Sequence, residues 1–312
     1  MEFSEDVLYD ALIVGGGPAG LTAGLYCARA KLNTLLFEKG ILGGQIAITD
    51  LVENYPGFPE GISGKELTQK FKQQAERFGL QIVRREVSKI EKVAKEIFVH
   101  LRTGEVLRSK TVILTVGSNP RRFGVVGEKE FLNRGVSYCA TCDGALFEGV
   151  PIAVIGGGDS ATQESLFLTR SASKVHLVHR RDQLRAQKGL QERVFSNPKI
   201  EFVANKVVEE IRGGDFVEKI LLRDIRDGSL SELTVEGVFI FIGLEPNTGF
   251  LKGTIGLDDK GYIITDDRMR TSMEGVFAGG DCRSGATGQV AVAVGEGCIA
   301  AIEAERYIEE KF

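Results

Sequence analysis

The chain is poor in the residues that would mark several common classes. Five cysteines in 312 residues (Cys27, Cys139, Cys142, Cys282 and Cys298) are too few, and odd in number, for the disulfide framework of a secreted protein. Three histidines (His100, His176 and His179) and one close cysteine pair leave no four-ligand zinc set. Positive charge is not in excess: 39 Lys and Arg against 43 Asp and Glu give a net charge of −4, which excludes the basic footprint of a nucleic-acid-binding protein. No apolar run approaches the ~18 residues of a spanning helix, Val238–Leu244 being among the longest. The start, Met1-Glu-Phe-Ser-Glu-Asp6, is acidic where a signal peptide is basic, so a cytoplasmic protein is expected. Nothing resembles a Ser-His-Asp triad or the paired carboxylates of a hydrolase.

What is present is ordinary globular composition, 43% apolar and 26% charged, at a length that suggests two domains. Prolines number 7 and glycines 39, a balance that points to tight loops between strands and helices. The glycines cluster first after an apolar strand, Ala11–Val14. There Gly15-Gly16-Gly17-Pro18-Ala19-Gly20 opens a helix expected from Leu21 to Lys31. Gly15, Gly17 and Gly20 permit a tight turn and close approach to a pyrophosphate, and the helix N-terminus offers unpaired N–H groups. A second strand, Asn33–Glu38, ends in a carboxylate 23 residues after Gly15, the place from which an acid accepts hydrogen bonds from a ribose diol.

The same arrangement recurs. The strand Ile152–Ile155 runs into Gly156-Gly157-Gly158-Asp159-Ser160-Ala161, a helix through Thr169 follows, and Lys174–Val178 reads as the second strand. Twenty-three residues beyond Gly156 stands His179, followed by Arg180, Arg181 and, after Asp182, Arg185. A carboxylate there would repel a 2′-phosphate, whereas guanidinium groups pair with it, so the second site should prefer NADPH to NADH. The first site suits an unphosphorylated adenosine, such as that of FAD or NAD.

Between the two units lies Cys139-Ala-Thr-Cys142-Asp143-Gly144. Cysteines three apart at a helix start can close a small disulfide, and a helix N-terminus lowers a thiol pKa. Asp143, next to Cys142, is placed to give and take protons during disulfide reduction. Cys27 and Cys298 lie in helical apolar patterns and read as small core residues, His176 reads as packing, and Cys282, after Asp281, is ambiguous.

Together these residues resemble the low-molecular-weight thioredoxin reductases of bacteria and archaea, flavoproteins of the pyridine nucleotide-disulfide oxidoreductase class. The resemblance covers nearly the whole chain. Its anchors are the two glycine loops, Gly43-Gly44-Gln45, Glu53-Asn54-Tyr-Pro-Gly57, Cys139–Gly144, His179–Ala186 and Gly279-Gly280-Asp281. It implies an α/β fold of two Rossmann-like three-layer dinucleotide-binding domains, the second inserted into the first: an FAD domain over 1–118 and 245–312, and an NADPH domain over 119–244 that carries the CxxC, with hinges near its ends. Glu38 would then meet the adenosine ribose. Gly44, Gln45 and Asn54 would lie near the flavin, with Gly280, Asp281, Gln289 and Val290 holding the ribityl and isoalloxazine portions. Two departures stand out: Thr287-Gly288-Gln289 lacks the Arg usual before the last helix, and Thr162-Gln163 replaces an aliphatic-Glu pair while Glu164 remains.

The implied activity is NADPH-dependent reduction of thioredoxin or a similar small dithiol protein by a homodimer. Electrons would pass from NADPH to FAD, then to a Cys139–Cys142 disulfide, with Cys142 nearer the flavin, Cys139 attacking the partner and Asp143 as acid–base group. Because Cys142 and Gly156 are only 14 residues apart and both must serve one flavin, rotation of the NADPH domain between half-reactions is expected. The alternatives are an FAD dithiol oxidase, a ferredoxin-fed flavin disulfide reductase and a redox-inert dinucleotide-binding sensor. No metal is expected.

Overall fold

Apolar side chains along Leu8–Val14 (β1) point alternately to two faces, Ala11 and Ile13 to one and Leu12 and Val14 to the other, and all four are buried. A strand buried on both faces belongs at the middle of a parallel sheet, and a computed structural model of the chain places it there. The structure describes residues 3–49, 52 and 54–312, apart from the side chains of Thr141 and Cys142.

After β1 the chain forms α1 (Pro18–Arg29), β2 (Thr34–Phe37), a 3₁₀ turn at Gly44–Ile48, α2 (Gly64–Arg77) and β3 (Gln81–Val83). It continues through β4 (Val87–Val93), β5 (Glu96–Leu101), β6 (Val106–Leu114) and β7 (Ser118–Pro120). The first helix begins and ends earlier than its sequence suggests. Pro18, with its fixed φ, suits the first helical turn, and Lys31 turns left-handed at φ +62° beyond its end.

A second run of elements follows: β8 (Val136–Ser137), α3 (Ala140–Asp143), β9 (Pro151–Gly156), α4 (Asp159–Leu168), β10 (Lys174–His179), α5 (Lys188–Ser196) and β11 (Ile200–Ala204). Then come β12 (Lys206–Gly213), β13 (Val217–Asp224), β14 (Leu230–Thr234) and β15 (Gly237–Phe241). The chain returns through β16 (Leu244–Pro246) and β17 (Val276–Ala278) to α6 (Val290–Lys311), which runs one turn past the expected Tyr307.

These elements pack as two units, one of residues Met1–Asn119 and Glu245–Phe312, the other of Pro120–Leu244. Asn119 falls in the first unit, one residue beyond the boundary read from the sequence. Its side chain explains this, donating from Nδ2 to Asn247 Oδ1 at 2.8 Å and accepting from Gln45 Nε2 at 3.4 Å.

Both units use one plan. In the first, the sheet order is β3-β2-β1-β6-β5-β4, with β17 parallel to the carboxyl half of β6 while β5 runs antiparallel to its amino half. One face buries α1 and α6 through Leu21, Ala23, Cys27, Ala300, Ala301 and Ala304; the other packs on the β4–β5 hairpin. In the second unit the parallel order is β11-β10-β9-β15-β8. Ile152, Val154, Val175 and Leu177 face α4 and α5, whereas Ala153, Ile155 and Val238 face the antiparallel layer β12-β13-β14. Each unit is thus helix, parallel sheet and antiparallel layer, with the chain reversing its strand order beside β1 and beside β9. Ligands bind outside the carboxyl ends of strands at such switch points.

Candidate active site

The first glycine loop leaves β1 at the switch between β2 and β6. Gly15 has φ +107°, and a Cβ there would stand 2.3 Å from the carbonyl oxygen of Thr115, just past β6, so only glycine closes the turn. A Cβ on Gly20 would meet the Gly15 oxygen at 1.9 Å. Gly17 differs: a Cβ there meets nothing within 4 Å. Its backbone faces open space at the N-terminus of α1, where Pro18 and Ala19 begin the helix. Glu38, one residue past β2, bends back over the loop and accepts from the Gly16 N–H at 2.7 Å and the Gly40 N–H at 2.6 Å.

The second loop repeats these relations. Gly156 has φ +151°, and a Cβ would stand 2.3 Å from the carbonyl oxygen of Phe241, the end of β15, and 2.7 Å from the Ala161 Cβ. Gly158, like Gly17, faces open space. Asp159 and Ser160 start α4, and the Asp159 carboxylate accepts from the Gln187 N–H at 2.7 Å while the Arg185 N–H donates to the Gly157 oxygen at 2.7 Å. This folds the 180–187 loop back over the glycines. His179 lies under Gly157 and is 5% exposed, and its Nε2 is buried with no hydrogen-bond partner among the described residues. Burial first, then the charges of Arg185, Arg180 and Arg181, hold its imidazole below the ordinary value. Those three arginines are exposed, with no ion pair among the described residues. Unpaired guanidinium groups beside an orphaned ring nitrogen suit an anion such as a 2′-phosphate.

The other expected cofactor residues gather in the first unit. Gly44 and Gln45 form the 3₁₀ turn beside the glycine loop, the Gly43 N–H donating to the Gly16 oxygen at 2.7 Å. Asn54 Nδ2 donates to Gln289 Oε1 at 2.9 Å, which brings together two residues 235 apart in sequence; Val290 then opens α6. Glu53, part of the same motif, lies outside the described residues. The missing Arg has a backbone counterpart: Gly285 and Gly288 have φ +77° and +68°, the left-handed region that favours glycine. Burial, and beyond it the charge of Glu296, push the Asp281 carboxyl above its ordinary value.

Glu296 was not legible as a site residue. It is buried inside α6, accepts from the Gly280 N–H at 2.7 Å and pairs with Arg283 at 2.6 Å, fixing the Gly279–Asp281 turn. Gly297 beside it lets α6 cross α1, since a Cβ there would meet the Ala19 oxygen at 2.1 Å. The one signal for both was a Gly-Glu-Gly run within the apolar first half of the helix.

Cys139 is half-buried and disulfide-bonded, whereas Cys27, Cys282 and Cys298 are free thiols. Cys142 lies in α3, but its side chain is outside the described ones. The expected helix start is a single turn, too short for a macrodipole. Asp143 is held instead by a side chain that no motif singles out, Ser137, whose Oγ lies 2.7 Å from Asp143 Oδ2. Burial pushes the thiols of Cys27 and Cys282 up to about 12, which makes both inert and settles Cys282 as a core residue. Among the described residues no cluster of metal-ligating side chains occurs, and no helix is long and apolar enough to cross a membrane.

In the second sheet β8, β15 and β9 are parallel neighbours, with Ser137 opposite Phe239 and Phe241 opposite Gly156. Cys139, two residues past Ser137, therefore leaves the same carboxyl edge as the glycine loop, two strands or about 10 Å across.

The model of the pyridine nucleotide-disulphide oxidoreductase family matches residues 9–297. The chain belongs to this family. It is 47% identical over 302 residues to thioredoxin reductase of Treponema pallidum, covering 96% of this chain and 97% of that one. To the Bacillus subtilis thioredoxin reductase it is 46% identical over 308 residues, 98% of this chain and 97% of the relative. Among solved structures, Lactococcus lactis thioredoxin reductase in its FR conformation matches with a TM-score of 0.93 at 42% identity, covering 97% of this chain and 99% of that one. A ferredoxin-flavin thioredoxin reductase from Clostridium acetobutylicum is more distant, with a TM-score of 0.53 at 31% identity over 97% and 99% of the two chains.

Proposed function

We propose that the chain is an NADPH-dependent thioredoxin reductase. The observation that carries this reading is that one unit holds both a disulfide-bonded Cys139 and a glycine loop faced by Arg180, Arg181 and Arg185. A ferredoxin- or oxygen-coupled enzyme has no use for those arginines. The open backbone at Gly17 and Gly158 and the orphaned nitrogen of His179 fit two dinucleotides. When bound, FAD supplies a carrier that accepts hydride from a nicotinamide and passes an electron pair to sulfur, chemistry that side chains do not provide.

Gly15, Gly17, Pro18, Ala19 and Gly20 would take the FAD pyrophosphate and Glu38 its adenosine ribose, Glu38 exchanging one of its two backbone donors for the diol. Gly44, Gln45, Asn54, Gly280, Asp281, Gln289 and Val290 would line the flavin side. Gly156, Gly158, Asp159, Ser160 and Ala161 would cradle the NADPH pyrophosphate, and His179 with the arginines its 2′-phosphate. Cys142 is assigned as the sulfur that receives electrons, Cys139 as the one that attacks the partner's disulfide, and Asp143 as the group that holds and releases the proton. The unit of Pro120–Leu244 turns between half-reactions. A homodimer in the cytoplasm completes the reading, with thioredoxin or a glutaredoxin-like protein as partner.

The test is anaerobic. Titrating the purified yellow protein with NADPH and NADH should bleach the flavin at much lower NADPH concentration, and thioredoxin disulfide should then restore the colour. Bleaching by reduced ferredoxin alone would overturn the nicotinamide assignment.

A further inference from the structure

Ser137 is 4% exposed, on β8, with its hydroxyl among three polar groups. Oγ accepts the Cys139 N–H at 3.0 Å, lies 2.7 Å from Asp143 Oδ2 and lies 3.2 Å from the Cys139 carbonyl oxygen. A hydroxyl has one hydrogen and two lone pairs, so it cannot donate fully to both oxygens at once. With Asp143 ionised, the hydrogen belongs to the carboxylate, the shorter and charge-assisted contact. With Asp143 protonated, the acid donates to the second lone pair of Oγ, and the serine hydrogen turns to the Cys139 oxygen. In that state all three bonding capacities of the hydroxyl are used, and no backbone atom has moved.

We propose that Ser137 is a positioning residue for the dithiol chemistry: it holds the Asp143 carboxyl in one place in both protonation states. The serine hydrogen changes direction but stays on its own oxygen, so no net proton passes through it. The same hydroxyl ties down the N–H of Cys139, which links the place of the acid to the place of the attacking cysteine. An ordinary serine turn would need only the bond to the Cys139 N–H; the 2.7 Å contact to Asp143 is what adds the second role. The inference rests on reading Asp143 as the acid–base group.

The experiment compares Ser137→Ala, Ser137→Thr, Asp143→Asn and the Ser137→Ala/Asp143→Asn double variant, as holoenzymes with NADPH and thioredoxin. Loss of positioning should lower kcat for Ser137→Ala by about tenfold, a fraction of what a general acid contributes, with the thioredoxin KM unchanged. Ser137→Thr keeps the hydroxyl and should restore most of the rate. In the Asp143→Asn background, Ser137→Ala should cost less than about twofold, because residues acting as a unit are not additive. An equal loss in both backgrounds, or a raised KM at unchanged kcat, overturns the role of Ser137 while leaving Asp143 in place. Full turnover by Asp143→Asn removes the reading of Asp143 itself, and the proposal with it.

Discussion

Arg180, Arg181 and Arg185 are the residues on which nucleotide choice is proposed to turn. Each is exposed and without a carboxylate partner among the described residues, so none of their charge is spent within the fold. A charge-assisted bond from one guanidinium to a 2′-phosphate contributes about 1.5–3 kcal/mol, roughly tenfold to a hundredfold in affinity. Arg181→Ala should therefore raise the KM for NADPH by about tenfold or more while leaving that for NADH unchanged. Steady-state kinetics with both nucleotides decides it; an equal rise for NADH would make Arg181 a part of the loop and not a reader of the phosphate. These arginines, like Glu38, could be proposed from the sequence because they stand at a fixed count from the first glycine of a βαβ unit. Ser137 and Glu296 were not, because their roles depend on where the chain returns. Glu296 reaches Gly280 across 16 residues and a turn, and Ser137 reaches Asp143 around the bend of a short helix.

At the scale of elements, α4 carries a group with a clear pH signature. Glu164 is half-buried, and burial alone lifts its carboxyl from 4.5 to about 7. In the unfolded chain it ionises near its ordinary value, so between roughly pH 4.5 and 7 the unfolded state has lost a proton that the native state keeps. Stability from this site is full below that window and falls as pH rises through it. Glu164→Gln removes the titration. Relative to the parent, it should melt at a higher temperature at pH 8 and show little difference at pH 4.5, as read by thermal unfolding at the two pH values. A gain of the same size at both would mean that the native carboxyl is not held protonated. The strand-to-helix elements around each glycine loop were readable from their apolar runs. The antiparallel layers β4–β5 and β12–β14 were not, since alternation shows that a strand is half-buried and not which sheet covers it.

For the whole molecule, the consequential feature is that the dithiol and the second nucleotide loop leave one sheet edge of one unit, whereas the residues proposed for the flavin belong to the other unit. In the proposed cycle both must serve one isoalloxazine. The chain crosses between units twice, at β7 and β16, which pair as a two-stranded ribbon. Each crossing is preceded by a left-handed glycine, Gly117 at φ +61° and Gly243 at φ +113°, and a Cβ at either meets nothing within 4 Å. Glycines free of packing at both crossings are suited to absorbing backbone rotation at a hinge. Turnover should then require the units to move. A reducible covalent lock between them should leave at most one half-reaction, so that rapid mixing finds either flavin reduction by NADPH or electron transfer to the disulfide but not both in succession. Continuous thioredoxin reduction should fall at least about tenfold, as expected when a gating motion becomes rate-limiting, and should return when the lock is opened. Locked protein that turned over at the free rate would show that a single arrangement of the two units serves both half-reactions.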